Sequence, residues 1–488
     1  MRFSILHISD IHRDLNDEIP NEWLIDSLIN DFNQFEKQDP KILKPALCVV
    51  TGDLIFGASP DIENSDEELK RQYNQAEEFL KELADTFFEG NRNSVVILPG
   101  NHDVCFKDVM MSLQKIEIPH ESEKKKDLVN ELLKHNSKLR WSWNALCFFK
   151  IIDNERYNKR FRYFTEMYNR FYQDERNYSL KADEQYDIFD YPDLGFCLVT
   201  LNSCFNNDPF HTAGEFHPTV ITNACRALQK TERTGWLSAA AWHHNIFGGP
   251  YHNVDYLYAG FIQPLIDAGI SLGFHGHQNV SDCFDERYRY NRNFRKITII
   301  SASTLCAEPK NLMPGIPRSY NVIELDTVTW KGRVHQRKMV NEQFSIPIWG
   351  SGNFITTDSS FIDFEINPPL KSRPVHLDFQ IKLTRADHFI GEHKWIEAVE
   401  ELATLKEDPQ ARIMLTKALE ELGDNRKIIT NLWPPQTIRE TIILGGAILE
   451  SGTEKECDDF IHLTLVSASS DASVREMRQR IVTLRCKK

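Results

Sequence analysis

Five short apolar runs in this chain each stop at a small group of histidines, carboxylates or amides. Residues 3–9 run into Asp10-Ile11-His12, and residues 46–51 into Gly52-Asp53. Residues 94–98 lead to Pro99-Gly100-Asn101-His102-Asp103. Residues 235–242 lead to His243-His244-Asn245, and 271–275 to Gly276-His277-Gln278-Asn279. Apolar runs of this length, bounded by Gly, Pro and Asn, read as buried strands. Further strand candidates fall at 195–201, 296–301 and 321–325, with helical spacing of apolar residues at 23–35 and 67–87. Such alternation means a layered α/β architecture, in which function collects in loops beyond the carboxyl ends of the strands.

At 488 residues the chain exceeds one ordinary compact domain. The alternating pattern spans 1–345, interrupted at about 105–193 by an insertion that reads as mostly helical and is crowded with aromatic and basic residues. Residues 346–380, with GSG, TTDSS and NPPLKSRP, read as a linker. Residues 381–488 read as successive short helices, which resemble a tetratricopeptide-type hairpin unit or an ordinary bundle. The ten cysteines are scattered without a CxxC pair, as reduced, partly buried thiols are. The opening run reads as a strand rather than a leader, and no apolar run approaches a membrane span. The cytoplasm is therefore the expected compartment, with no membrane partner. A formal charge of −14 argues against non-specific coating of nucleic acid but leaves room for a local basic track.

The residue types at the strand ends suit one chemistry. Phosphoester hydrolysis at neutral pH needs a deprotonated water and neutralised phosphoryl oxygens, which two divalent metals supply. Two close cations want a carboxylate between them, and Asp53 is the candidate. Imidazole and carboxylate donors suit manganese, iron or zinc better than magnesium. Glycines at 52, 100 and 276 let the backbone turn sharply beside these side chains. Each element alone is weak: a lone Asp-x-His is usually chance, a lone Gly-Asp a turn, a single strand histidine a core residue. Five in order, each directly behind a strand, outweigh that reading.

The pattern D-x-H, G-D, G-N-H-[D/E], H and G-H-x-H resembles the calcineurin-like metallophosphoesterase superfamily, over roughly residues 1–340. The opening ILHISDIH is similar to bacterial-type cyclic-nucleotide phosphodiesterases and to nuclease subunits of double-strand-break processing complexes. The resemblance implies a four-layer αββα sandwich and two divalent metal ions, manganese first, with iron, zinc or nickel as alternatives. It implies that Asp10 and His12 hold one metal, that Asp53 bridges, and that Asn101, His243 and His277 hold the second. His102 would act on the phosphate, with Asp103 orienting its ring, and a metal-bridging hydroxide would attack. His244, next to His243 on a strand, points the other way, toward substrate or core. The chain departs from the family at Asn279, where G-H-x-H has its last histidine; an amide oxygen can take that ligand's place.

Substrate is less constrained. Basic residues outnumber acidic ones between Lys134 and Arg176 and interleave with aromatics from Trp141 to Tyr172; a second such stretch holds Arg287 and Arg289. Such stretches fit binding of bases and phosphates, although aromatics at helical spacing are usually core. The expected substrate contacts are His244, Asn202, Arg287 and Arg289, with Ser203, His211 and His217 as further pocket candidates. The expected function is a phosphodiesterase acting on nucleic acid or a nucleotide-type diester. The alternatives are a phosphomonoesterase or protein phosphatase, or a regulated or inactive metal domain serving a partner complex through the helical tail. A protein partner, or self-association, is expected at 381–488.

Overall fold

A computed structural model describes residues 1–14, 19–59, 64–133, 137–228, 231–246, 255–287, 295–307, 312, 315–341, 346–369 and 377–485. It divides into two compact units, Met1–Leu377 and Asp378–Lys488. The first unit begins with β1 (Arg2–Ile8), α1 (Asn21–Phe32), β2 (Leu47–Val50), α2 (Ser65–Phe87) and β3 (Val95–Ile97). The insertion follows as α3 (Phe106–Ser112), β4 (Leu113–Ile116), α4 (Ser122–Leu132), β5 (Leu139–Ser142), β6 (Cys147–Ile151), α5 (Asn154–Asn158) and α6 (Arg162–Phe171). Then come β7 (Tyr186–Tyr191), β8 (Phe196–Leu201), α7 (Pro218–Leu228), β9 (Leu237–Ala241), α8 (Gln263–Asp267), β10 (Leu272–His275), β11 (Asp282–Glu286) and β12 (Ile297–Ser301). The unit closes with β13 (Ser319–Asp326), β14 (Lys331–Met339), β15 (Trp349–Ser351) and β16 (Phe361–Glu365).

These strands make a seven-stranded sheet, β15-β14-β13-β1-β2-β3 with β16 also on β14, and a six-stranded sheet, β11-β12-β10-β9-β8-β7. The strands carrying the motifs are parallel within each sheet, so their carboxyl ends share an edge. They are nearly continuous apolar runs because both faces are covered. On the inner face Phe3 meets Phe196 at 5.4 Å and His7 meets Phe274 at 5.5 Å, one sheet against the other. The outer faces carry helices: α2 buries Leu69, Tyr73, Ala76, Leu80 and Leu83 at helical spacing, and α7 packs on β7 and β8. The result is the αββα sandwich that the sequence resemblance implies. At the motif-bearing edge the two sheets are stitched by backbone, with the amide of Leu305 donating to the Ser9 carbonyl at 3.0 Å.

Two expectations about organisation are corrected. The insertion is not mostly helical: β4, β6 and β5 form a three-stranded antiparallel sheet, because RWSW and LCFFK pair across a tight turn. This sheet meets the loop after β8, where Arg140 forms a buried ion pair with Asp208 and Phe149 stacks on Phe210. The aromatics Tyr157, Phe161, Tyr163, Phe164, Tyr168, Phe171 and Tyr172 are buried, each contributing on the order of 1.5–3 kcal/mol as core. Trp143 is the exception, 79% exposed at the β5–β6 turn. The stretch expected as a linker contributes β15 and β16 to the large sheet, both paired with β14, with Trp349 and Phe364 buried.

The second unit is helical: α9 (Leu377–Gly391), α10 (Trp395–Ala403), α11 (Pro409–Leu422), α12 (Asn425–Leu432), α13 (Ile438–Ser451), α14 (Glu454–His462), α15 (Thr464–Ser467) and α16 (Ala472–Arg485). Its own core includes Leu402, Leu415, Leu419, Leu444, Ile448 and Phe460. Inside it Arg412 pairs with Glu440 at 2.9 Å, linking α11 to α13. Among the described residues no helix is long and apolar enough to cross a membrane, and no disulfide joins the nine described cysteines.

Candidate metal centre

The strand ends deliver their side chains through strained backbone. Asp10, His12, Asp53, His277 and Asn279 all lie at positive φ, between 41° and 71°. For non-glycine residues that conformation costs on the order of 1–3 kcal/mol and persists only where the surroundings over-determine it. Here the surroundings do: His12 N donates to the Asp53 carbonyl at 3.0 Å, and His277 N to Asp10 Oδ2 at 3.1 Å.

Space is equally tight at the glycines. A Cβ on Gly100 would stand 2.1 Å from Asp53 Oδ1 and 2.3 Å from the Asp53 backbone nitrogen. Gly100→Ala is therefore expected to cost about 1–3 kcal/mol through overpacking and to displace the Asp53 carboxylate. Thermal unfolding and metal content would both register it; a variant that matches wild type in both would mean the loop adapts freely.

Two groups of donors converge. Asp53 Oδ2 lies 3.7 Å from His12 Nε2 on one side and 3.3 Å from His243 Nε2 on the other. Asp10 Oδ1 is 3.7 Å from His12 Nε2. Across the site Asn101 Oδ1 is 2.8 Å from His243 Nε2 and 2.9 Å from His277 Nδ1, and those two nitrogens are 3.2 Å apart. His243 Nδ1–H donates to the Thr51 carbonyl at 2.7 Å, so Nε2 presents toward the site. Asn279 Oδ1 is buried without a hydrogen-bond partner. This clustering of acceptors exceeds what hydrogen bonds among them can satisfy, and a pair of cations fits it.

The electrostatics agree. Burial alone would raise the Asp53 carboxyl, but His243, His102 and His12 overrule it and hold it well below the usual range. Burial opposes protonation of His243, yet Asp53 and Asp10 draw its imidazole up to about 9. Burial works against Asp10 ionising too, and the His12 hydrogen bond reverses the outcome, leaving it lowered. Carboxylates kept ionised and imidazoles drawn positive mark a site arranged for added positive charge.

The structure places the remaining expected residues differently. His102 Nδ1–H donates to the Phe56 carbonyl at 2.7 Å, so that carbonyl orients the ring, not Asp103. Asp103 instead accepts from the amides of Gly100 and Leu54 and from the Tyr73 hydroxyl, pinning the loop, while burial and Asp53 push its carboxyl up to about 7. His244 is fully buried, hydrogen-bonded to Ser203 Oγ at 2.9 Å and packed at a tilt against His277 with ring centroids 4.6 Å apart, so it lies behind His277 and does not face substrate. Asn202 is buried too, bonded to Gln185 and to the Cys204 amide. Ser203 Oγ accepts from the His243 and His244 amides. His211 lies in the Asp208 turn, and His217 packs on Phe205 at 4.8 Å.

Arg287 is on the wrong edge. β11 runs antiparallel to β12, from Asp282 opposite Ser301 to Glu286 opposite Ile297, and so carries the chain away from the metal-bearing edge. Arg287, 71% exposed beside Asp285, joins Arg2 and Lys296 around a cavity of about 810 Å³ at that far end. Arg289 lies outside the described residues. Nearness in sequence to the last motif misled because one strand reverses direction there.

The sequence pattern of the family described as calcineurin-like phosphoesterase matches residues 3–281, more than half of the chain. The chain belongs to the calcineurin-like phosphoesterase family. This family membership, with the His/Asp clusters, makes the first unit a metal-dependent phosphoester hydrolase. No curated protein matches the chain. Among solved structures it is similar to GAP50, the anchor in the inner membrane complex of Plasmodium, at 12% identity over 78% of this chain and 94% of that one, with a TM-score of 0.30. A likeness at that level has no weight for function.

Proposed function

We propose that the chain hydrolyses phosphodiesters of nucleotide type with two divalent ions, manganese being the first candidate. The observation that carries the two-ion reading is the position of Asp53 Oδ2 between His12 and His243. On this reading Asp10, His12 and Asn279 would hold one ion, Asn101, His243 and His277 the other, with Asp53 shared. Such ions supply a nucleophile at neutral pH and neutralise charge on the phosphoryl oxygens. The chain's own part is to hold His102 over the scissile group. With Nδ1–H committed to the Phe56 carbonyl, a proton for the leaving oxygen would have to sit on Nε2, in an imidazolium that burial opposes and the Asp53 carboxylate favours.

The diester preference rests on the insertion sheet, which meets the loop after β8 at the metal-bearing edge and presents Trp143 to solvent, with Trp141 beneath it at 5.7 Å. An exposed indole is a stacking surface for a base. Manganese-loaded protein would be offered single- and double-stranded DNA, RNA, cyclic nucleotides and p-nitrophenyl phosphate. Faster turnover of diesters is expected; hydrolysis of the monoester alone would overturn the substrate reading and leave the metal reading standing. His102→Ala is expected to slow hydrolysis by about 10²–10⁴-fold with metal content unchanged. A parallel loss of metal would instead make His102 a ligand.

A further inference from the structure

We propose that Asp255 is a positioning residue for the metal centre, an outer carboxylate that fixes the ring of His277; this rests on the reading of His277 as a ligand. His277 turns Nδ1 inward, toward Asn101 Oδ1 and His243 Nε2. Its other nitrogen, Nε2, is buried and makes no aligned hydrogen bond, and Asp255 Oδ2 stands 3.5 Å from it, in ion-pair range. Both side chains are largely removed from water, at 13% exposure for His277 and 15% for Asp255. Metal-binding imidazoles characteristically give their second N–H to a carboxylate, which fixes tautomer and ring orientation and raises the basicity of the ligating nitrogen.

Asp255 is held where it can do this. Two residues on, the Leu257 amide donates to the Asn245 carbonyl at 2.7 Å, and the Gly214 amide donates to the Tyr256 carbonyl at 3.2 Å. Gly214 allows this because a Cβ there would stand 2.6 Å from the His244 side chain. The strap bearing Asp255 is thus fastened to the segment that supplies His243, so the two imidazoles on one ion share a support. His277 needs such support, since its backbone sits at φ 71°. Asp10 Oδ2 holds its amide and His244 backs its ring, which leaves the Nε2 edge to Asp255.

The test is manganese binding to the full, metal-stripped chain, measured by calorimetric titration for wild type, Asp255→Ala, Asp255→Asn and His277→Ala, with the thermal midpoint of each stripped protein as a check on folding. Asp255→Ala is expected to weaken the same one of the two binding events that His277→Ala weakens, by about 10–100-fold, with an unchanged stripped midpoint. Asp255→Asn keeps an acceptor oxygen and is expected to fall between. If His277→Ala weakens binding and Asp255→Ala does not, the proposal is overturned and the ligand assignment stands. If neither weakens binding, the assignment of His277 fails and the proposal with it. Loss of affinity matched by a lower stripped midpoint would likewise overturn it, as general destabilisation.

Discussion

Asp53→Asn is expected to lower phosphoester hydrolysis by about 10³-fold or more while the chain stays folded. Metal-ion stabilisation of a phosphoryl transition state is worth several kcal/mol, and about 4 kcal/mol corresponds to roughly 10³ in rate. Asp53 is the residue common to both His/Asp groups found among the described residues, one with His12 and His102, the other with His243 and His277. The amide would still accept the His102 backbone N–H, now 2.9 Å from Asp53 Oδ1, so local geometry should persist. What disappears is the negative charge between two imidazole-lined pockets. Turnover and metal ions bound per chain are the two readouts. Activity within tenfold of wild type would sink the shared-carboxylate reading.

Arg140→Ala is expected to destabilise the first unit by about 3–5 kcal/mol, the usual cost of removing one partner from a buried ion pair. Arg140 Nε lies 2.6 Å from Asp208 Oδ2, with side-chain exposures of 3% and 0%. Arg140 Nη2 also donates to the Tyr157 hydroxyl at 3.1 Å, and that hydroxyl donates to Asp208 at 2.8 Å. Removing the guanidinium strands an ionised carboxylate out of water, and the insertion sheet loses its main fastening to the loop after β8. Chemical denaturation and hydrogen exchange at β5 and β6 would measure it. Exchanging both partners for apolar residues, Arg140→Met with Asp208→Leu, is expected to cost less than Arg140→Ala alone. If the double replacement is the worse of the two, the pair contributes more than the removal of its own desolvation cost.

The legible parts of this fold are those that local pattern dictates. β1, β2, β10 and β12 are apolar runs long enough and pure enough to be buried on both faces, and the polar groups after β1, β2, β3, β9 and β10 meet as expected because parallel strands place their carboxyl ends on one edge. β14 was not legible. Its run KGRVHQRKM is basic, and only the fold makes it a strand between β13 and β16, where Arg337 is buried against Asp31 of α1. By spacing alone the aromatic row of α6 fits either contact with nucleic acid or a core. Its burial against α2 decides for core, since helical spacing puts those rings on one face.

By itself, then, the order of residues determined the layered class, the strand ends and the candidate donors that follow them, since each depends on neighbours within a few positions. Tertiary structure alone decided the rest. It took the ring of His102 from Asp103 and gave it to the Phe56 carbonyl, turned His244 and Asn202 inward, sent Arg287 to the far edge along an antiparallel strand, and set Asp255 beside His277. Those placements depend on distances between segments far apart in the chain, which no local spacing of residue types can encode.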